Sequence, residues 1–277
     1  MKPKCIAIVG LGLMGGSLAG ACRRKFPHSR ILGISRSRAA IAVAKRRRWI
    51  HQGFTDLARG VQEADLIVVC TPVDTFSSVL SRIDRTVRAG TIVTDVGSAK
   101  GQMMRLIRRK AWKSIEFIGA HPLVGSHKRG MPAADRDLYN EGLIFLIREP
   151  KHKAAYRQVK SFWRRISSRV VEISADEHDA VVSAVSHLPH AVAACLMLSI
   201  PRSSLRFAGA GLRDSTRIAA ASDSVWLPIM LSNRKAILKS MAAFSQEFQA
   251  LQRGLARRDG RFLLKFLRAA ARKRTQI

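Results

Sequence analysis

The stretch Cys5-Ile-Ala-Ile-Val-Gly-Leu-Gly-Leu-Met-Gly-Gly-Ser-Leu-Ala19 decides the fold of the first half of the chain. An apolar run leads into a Gly-x-Gly-x-x-Gly pattern and then into a helix, which is the context that a dinucleotide-binding turn requires. The glycines permit a tight turn, close approach of a pyrophosphate and close packing of helix on strand, and the helix N-terminus favours the anion. The expected cofactor contacts here are Gly10, Gly12, Leu13, Met14 and Gly15.

The second predicted strand, Arg30–Arg36, indicates which nucleotide binds. An NAD site normally carries Asp or Glu at the end of this strand, about 20 residues beyond the glycines. This chain has no acidic residue before Asp56, and Ser35 and Arg36 stand at the strand end. A hydroxyl and a guanidinium suit a 2′-phosphate, so we predict NADP, with NAD as the alternative. In so basic a chain, Arg36 could also be an ordinary surface arginine.

Strand and helix patterns alternate through the first half, which predicts a parallel α/β sheet. The buried strand Ala64–Pro72 ends at the sheet edge where ligands bind, so Thr71 and Pro72 are candidate cofactor neighbours. Further strands are predicted at about 90–95, 115–119, 143–147 and 170–173.

From Ser174 onward the sequence shows helix patterns only. Ser174-Ala-Asp-Glu177 is typical of a capping box and opens a helix reaching about Ile200. Helices are also predicted at about 224–252 and 259–272. The predicted fold class is therefore α/β: a Rossmann-type doubly wound sheet (residues 1–170, NADP-binding) followed by an all-helical domain (residues 171–277, substrate binding and dimerisation).

The composition is that of a globular protein. The 277 residues are 47% hydrophobic and 25% charged, and no uncharged apolar stretch of 18 or more residues predicts a membrane span. The N-terminus superficially resembles a signal peptide, but the glycine pattern inside its apolar run argues against one. The four cysteines are far apart, so they predict reduced thiols in the cytoplasm and neither a disulfide nor a metal site.

The net charge of +30 is the unusual feature of the composition. Such a charge binds polyanions non-specifically and concentrates anionic substrates. No nucleic-acid motif accompanies it and aromatic residues are few, so specific nucleic-acid binding is not expected. We interpret most of the charge as a solvated surface.

Polar side chains that could take part in catalysis or binding are concentrated in two segments, Gly119–Gly130 and His178–His190. At 100° per residue, His178, Ser186 and His190 share one face of a helix, whereas His187 points nearly opposite His178. Apolar neighbours argue for burial, although a surface helix with scattered histidines is the alternative.

Together these segments resemble the prephenate/arogenate dehydrogenase family of tyrosine biosynthesis over nearly the whole chain. The resemblance rests on Gly10–Gly15, Asp95-Val-Gly-Ser-Ala-Lys100, His121-Pro-Leu-Val-Gly125, Ser186-His-Leu-Pro-His190 and Gly211–Ile218. It implies oxidative decarboxylation of a cyclohexadiene substrate, with hydride passing to a nicotinamide and carbon dioxide leaving as the ring becomes aromatic. Neither prephenate nor L-arogenate is singled out by any residue.

The resemblance also implies roles for individual residues. His121 is the expected catalytic histidine, accepting a hydrogen bond from the substrate hydroxyl, and Ser98 orders that corner of the site. Lys100 is expected to be structural, and His127 stands where many relatives carry a gating Glu. The implied substrate-binding residues are His178, Ser186, His190 and Arg217.

The resemblance further implies a homodimer formed by the helical domain. Two alternatives remain open on the sequence alone. A β-hydroxyacid dehydrogenase would share the outline but use a catalytic lysine on the helical domain. A non-catalytic NADP-sensing protein could bind nucleic acid through its basic surface.

Overall fold

A six-stranded parallel sheet forms the centre of the first half of the molecule. The computed structural model describes residues 3–125 and 128–276. The strands follow the order β3-β2-β1-β4-β5-β6, so strand order reverses beside β1. Their bounds are β1 Cys5–Val9, β2 Arg30–Ile34, β3 Gln52–Phe54, β4 Leu66–Val69, β5 Thr91–Asp95 and β6 Ile115–Ile118.

Helices cover both faces of this sheet because its strands are apolar on both sides. Ile6 and Ile8 of β1 enter one buried cluster, and Ala7 and Val9 enter the other. This two-sided burial is typical of a parallel sheet. The helices of this half are α1 Leu13–Lys25, α2 Arg38–Arg46, α3 Leu57–Val61, α4 Phe76–Asp84, α5 Gly101–Arg109 and α6 Lys153–Ile166.

A second, three-stranded sheet completes the first half. Its strands are β7 Ala120–Leu123, β8 Leu143–Ile147 and β9 Arg169–Ile173, with β7 antiparallel to β8 and β9 parallel to it. The sequence predicted β8 and β9 but not β7, because the proline in Ala-His-Pro-Leu is unusual within a strand. As a result, His121 sits on a strand and not in a loop.

The second half is helical, as predicted, and the capping box at its start is confirmed. The Ser174 side chain accepts from the Glu177 N–H, and the Glu177 carboxylate accepts from the Ser174 N–H. The helices are α7 Ala175–Val182, α8 Leu188–Ser199, α9 Ala210–Thr216, α10 Asp223–Ser232, α11 Arg234–Ala256 and α12 Gly260–Arg274.

The helix expected over 224–252 is two helices in the structure. It breaks at Asn233, whose buried side chain bonds to the α7 backbone and to His187. Because those bonds hold Asn233 in place, local helix propensity does not decide the conformation there.

The segment Ala175–Ser199 is long and apolar enough to cross a membrane, judged by length and composition alone. The core helix of a globular protein meets the same criterion. Here His178, His187 and His190 of this segment are buried inside the protein, whereas Val185 and Leu198 are exposed, and 33% of the apolar window is buried.

Candidate active site between the two halves

The glycine turn after β1 has the geometry that its pattern predicts. Gly10 adopts φ +103°, a conformation that favours glycine, and a Cβ on Gly15 would lie 1.9 Å from the Gly10 carbonyl oxygen. A Cβ on Gly12, in contrast, would meet no protein atom within 4 Å. The space beside Gly12 is therefore open to a ligand.

The N-terminus of α1 points its free N–H groups at this space. Gly12 is the N-cap residue and supplies no side-chain cap, so the first turn, which includes Leu13 and Met14, keeps unsatisfied donors. Open space, free N–H groups and the helix dipole together fit a pyrophosphate.

The end of β2 differs in detail from the sequence expectation. Ser35 is half-buried, and its Oγ accepts from the Ser37 N–H at 3.2 Å. Ser37 caps α2 by accepting from the Ala40 N–H. Arg36 is exposed and has no hydrogen-bond or ion-pair partner among the described residues. Its guanidinium is therefore free for an anion.

Thr71 and Pro72 follow β4 at the same sheet edge. The Thr71 hydroxyl accepts from the Thr75 hydroxyl at 2.8 Å, and Pro72 is exposed. Their position beyond the carboxyl end of β4 places them at the edge where the strand order reverses.

A buried ion pair shapes the loop between β5 and α5. Lys100 is completely buried, and its Nζ donates to the Asp95 carboxylate at 2.7 Å and to the Gly97 carbonyl. Asp95 also accepts from the N–H groups of Gly97 and Ala120. The pair thus fixes both the loop that carries Ser98 and the start of β7, next to His121. Burial lowers the pKa of Lys100, and the nearby Asp95 opposes that shift.

Three side chains from the two halves form a buried hydrogen-bonded chain. The Nδ1 atom of His121 lies 2.8 Å from Nε2 of His178, and Nδ1 of His178 lies 2.9 Å from the Asp179 carboxylate. His178 is fully buried, and the ring of Phe145 packs against it edge-on. The chain leaves Nε2 of His121 without a hydrogen-bond partner among the described residues.

Burial keeps these histidines neutral. It lowers the pKa of His121 well below the usual range, and the positive charge of Lys100 adds to the effect. It also lowers the pKa of His178, opposed by the hydrogen bond to Asp179. A neutral His121 can accept a proton at neutral pH.

His187 is buried. A regular helix would place it nearly opposite His178, but the helix is not regular here. Residues Ser183–His187 form a π turn, which adds a residue to one turn and rotates the rest of the helix. The Asn233 side-chain N–H donates to Nδ1 of His187 at 3.1 Å. Burial lowers the pKa of His187 to about 4.

His190 stacks on Trp226, with ring centroids 3.6 Å apart and planes 4° from parallel. In the described part of the chain, its Nδ1 is the one buried side-chain nitrogen or oxygen without a hydrogen-bond partner. Burial lowers the pKa of His190, opposed by a hydrogen bond with the Ile218 backbone. A buried nitrogen without a partner is costly and suits a ligand contact.

Other expected site residues are less constrained. Arg217 adjoins the Ile218 backbone that bonds His190, but its side chain is exposed. Ser98 and Ser186 are half-buried, and the described residues offer their hydroxyls no hydrogen bond. His127 lies outside the described residues. No cluster of three metal-ligating side chains occurs in the ranges 3–125 and 128–276.

Four residues that build this site were not predicted from the sequence as site residues: Asp95, Asp179, Trp226 and Asn233. Asp179 had a signal, because it directly follows His178 and could orient a histidine. Trp226 and Asn233 had none, since only the tertiary fold brings α10 and α11 against the π turn.

Two family models match the chain in succession. Residues 18–172 match the model described as "Prephenate dehydrogenase, nucleotide-binding domain". Residues 174–269 match the one described as "Prephenate dehydrogenase, dimerization domain". The junction between the two matches coincides with the capping box at Ser174.

Individual relatives agree with these models. The chain is 32% identical over 273 residues to prephenate dehydrogenase of Bacillus subtilis, covering 96% of this chain and 74% of the relative. The crystal structure of Aquifex aeolicus prephenate dehydrogenase with hydroxyphenyl propionate and NAD+ superposes with a TM-score of 0.91 at 29% identity, covering 99% and 98% of the two chains. Synechocystis arogenate dehydrogenase superposes at 0.81 with 26% identity, covering 98% and 99%.

Proposed function

This chain belongs to the prephenate dehydrogenase family, and from that premise we propose that it oxidises and decarboxylates prephenate, L-arogenate or both, with NADP as the preferred cofactor. The products are 4-hydroxyphenylpyruvate from prephenate and L-tyrosine from arogenate. The observation that carries the proposal is His121: a neutral, buried imidazole whose Nε2, unpartnered among the described residues, lies between the two halves.

His121 acts as the hydrogen-bond acceptor for the substrate hydroxyl. Its Nε2 takes the hydroxyl proton as hydride leaves the carbon that bears the hydroxyl. It then returns a proton to the oxygen of the aromatic product. The bound nicotinamide supplies the hydride acceptor. Loss of carbon dioxide restores the electron pair to the ring, so atoms and charges balance without a net proton.

The anionic groups of the substrate call for donors around His121. We assign His190, Ser186 and Arg217 to this task. His190 has an unpartnered nitrogen, and the exposed guanidinium of Arg217 has no ion-pair partner among the described residues. His178 has both ring nitrogens engaged, so we give it a role within the protein and not on the substrate. Ser98 orders the cofactor side of His121.

The preference for NADP rests on the end of β2. Within the described ranges Arg36 has no partner and Ser35 stands beside it, whereas the strand end carries no carboxylate to hold a ribose hydroxyl. The other cofactor contacts proposed are Gly10, Gly12, Leu13, Met14, Gly15, Thr71 and Pro72.

We also propose that the chain acts in the cytoplasm as a homodimer formed through residues 174–269. The large apolar side chains exposed along α8, α10, α11 and α12 support this assembly. We keep the division into residues 1–170 and 171–277 as a proposal, and the two family-model matches, which meet between 172 and 174, support it.

The hydroxyacid-dehydrogenase alternative lacks its catalytic lysine. Every lysine after Ser174 is exposed, and the buried Lys100 belongs to the first half. The nucleic-acid-binding alternative gains no support either, because the site residues and both family models point to an enzyme.

The deciding experiment is reduction of NADP+ and NAD+, followed at 340 nm, with prephenate and arogenate offered separately. Turnover in any pair supports the reaction, and the ratio of kcat/KM values gives substrate and cofactor preference. Absence of turnover in all four pairs, from protein that binds NADP, refutes the proposal.

The cofactor preference has its own variant. Arg36→Ala should lower kcat/KM for NADP+ about tenfold and leave that for NAD+ within about twofold, because one charge-assisted contact is lost. Arg46→Ala removes the same charge at the other end of α2 and should change neither value. Equal losses with both cofactors would refute a 2′-phosphate contact.

A further inference from the structure

We propose that Asp179 and His178 are positioning residues that fix the tautomer of His121, so that Nε2 of His121 is always the proton acceptor. This inference deepens the proposed function and rests on it. It concerns a chain of three side chains drawn from two elements, α7 and β7.

The Asp179 carboxylate is held so that it can only accept hydrogen bonds. It takes the Lys100 N–H and the Gly101 N–H, each at 2.8 Å, where α5 begins. The helix dipole stabilises the negative charge there. Burial acts to raise the pKa of Asp179, but the hydrogen bonds from His178 and from the Lys100 and Gly101 N–H groups together lower it below its ordinary value.

An acceptor at one end sets the direction of the whole chain. Because Asp179 accepts, Nδ1 of His178 carries the proton, and the neutral ring then presents a lone pair at Nε2. That lone pair accepts from Nδ1 of His121 at 2.8 Å. His121 therefore keeps its proton on Nδ1 and its lone pair on Nε2, the nitrogen left free.

Burial keeps the hydrogen bonds between Asp179, His178 and His121 in this one direction. His178 has no exposed surface and His121 is 5% exposed, so water does not compete for the bonds between them. The side of His178 not occupied by hydrogen bonds is covered by the Phe145 ring.

The same chain implies how acid inactivates the enzyme. A proton added to His178 turns its Nε2 into a donor, which requires a lone pair on Nδ1 of His121 and moves the proton of His121 to Nε2. The acceptor for the substrate is then lost before His121 itself is charged. The charged and titratable groups around His178 are Asp179, Asp95, Lys100, His121 and His187.

The test reads the tautomer directly, without substrate. In protein labelled with 15N-histidine, a spectrum at neutral pH should show His121 protonated on Nδ1, with the signal assigned by its absence in His121→Asn. Asp179→Ala removes the acceptor for Nδ1 of His178, so the His121 proton should no longer be confined to Nδ1 and kcat should fall by about 10²-fold or more. Asp176→Ala, on the same helix but 88% exposed, is the matched control and should do neither.

Two variants of His178 distinguish loss of the hydrogen-bonded chain from loss of folding. His178→Gln keeps an oxygen that can accept from His121, so it should retain the tautomer and most of kcat, with KM little changed. His178→Leu offers no acceptor and should lose both. Cofactor binding, measured by fluorescence, should stay near normal in each variant.

The outcomes separate this proposal from the proposed reaction. A tautomer that changes in Asp179→Ala supports the chain even if neither substrate is turned over, in which case the reaction alone is wrong. A His121 tautomer unchanged in both Asp179→Ala and His178→Leu overturns the inference, whatever the turnover.

Discussion

The two halves of this molecule differ in how completely they bury their large apolar side chains. In the first half, β-strands and helices cover one another, and among the described residues only Leu106 and Val171 are large apolar side chains left exposed before Ser174. In the second half such side chains are numerous, with Leu198 87% and Phe207 75% exposed.

The difference shows which half is complete by itself. A parallel sheet between two helical layers buries its own faces, whereas α8 and α10–α12 have an apolar face that the described part of the chain does not cover. Large exposed apolar patches commonly mark interaction surfaces. His121, hydrogen-bonded to His178 of the second half, lies where the half with covered apolar side chains meets the half with exposed ones.

The largest effect is expected at this meeting point. His121→Asn should lower kcat by about 10²- to 10⁴-fold, because it removes the proton acceptor. NADP affinity should change little, since the nucleotide site belongs to the first half. Steady-state kinetics and cofactor titration measure the two effects. Substantial turnover in this variant would remove His121 from the mechanism.

The next largest effect is expected at the exposed apolar side chains of the second half. The double variant Leu198→Ser/Phe207→Ser should raise the dimer dissociation constant about 100-fold or more, since each buried apolar side chain contributes about 1.5–3 kcal/mol. Light scattering across a dilution series measures it. Leu106→Ser, in the first half, is the control and should leave assembly unchanged. If the two proteins dissociate alike, the contrast between the halves has no bearing on assembly.

A smaller effect concerns stability in acid. The pKa of His187 is about 4 in the fold and about 6.5 in an unfolded chain, so the unfolded state binds the proton first as pH falls. His187 therefore destabilises the fold by up to about 3 kcal/mol as pH falls from 6.5 to 4 and has no such effect above 6.5.

His187→Gln should flatten that decline. Denaturant unfolding at pH 7 and pH 4.5 measures the change, and His28→Gln, on an exposed histidine, is the control. An acid decline that stays as steep in His187→Gln as in the parent would mean that His187 is not the group being protonated.

The sequence predicted the parts that depend on local pattern. The glycine turn, the capping box and the α/β-then-helical order depend on the spacing of neighbouring residues, and the structure confirms them. The placement of His187 was predicted wrongly, because a regular helix was assumed across the π turn. The Asp179–His178–His121 chain could not be predicted, since its ends are separated by more than 50 residues and are brought together only by packing of α7 against β7 and α5.

The buried Lys100–Asp95 pair has a consequence for how such a sequence can change over time. Replacing either partner alone leaves an uncompensated charge in the interior, a penalty of about 3–5 kcal/mol in a protein whose total stability is about 5–15 kcal/mol. A lineage that accumulates one substitution at a time therefore passes through an intermediate that has lost a large part of its stability. Only a simultaneous exchange of both residues for an apolar pair avoids that intermediate, so the two positions are expected to stay fixed while the arginine-rich surface around them drifts.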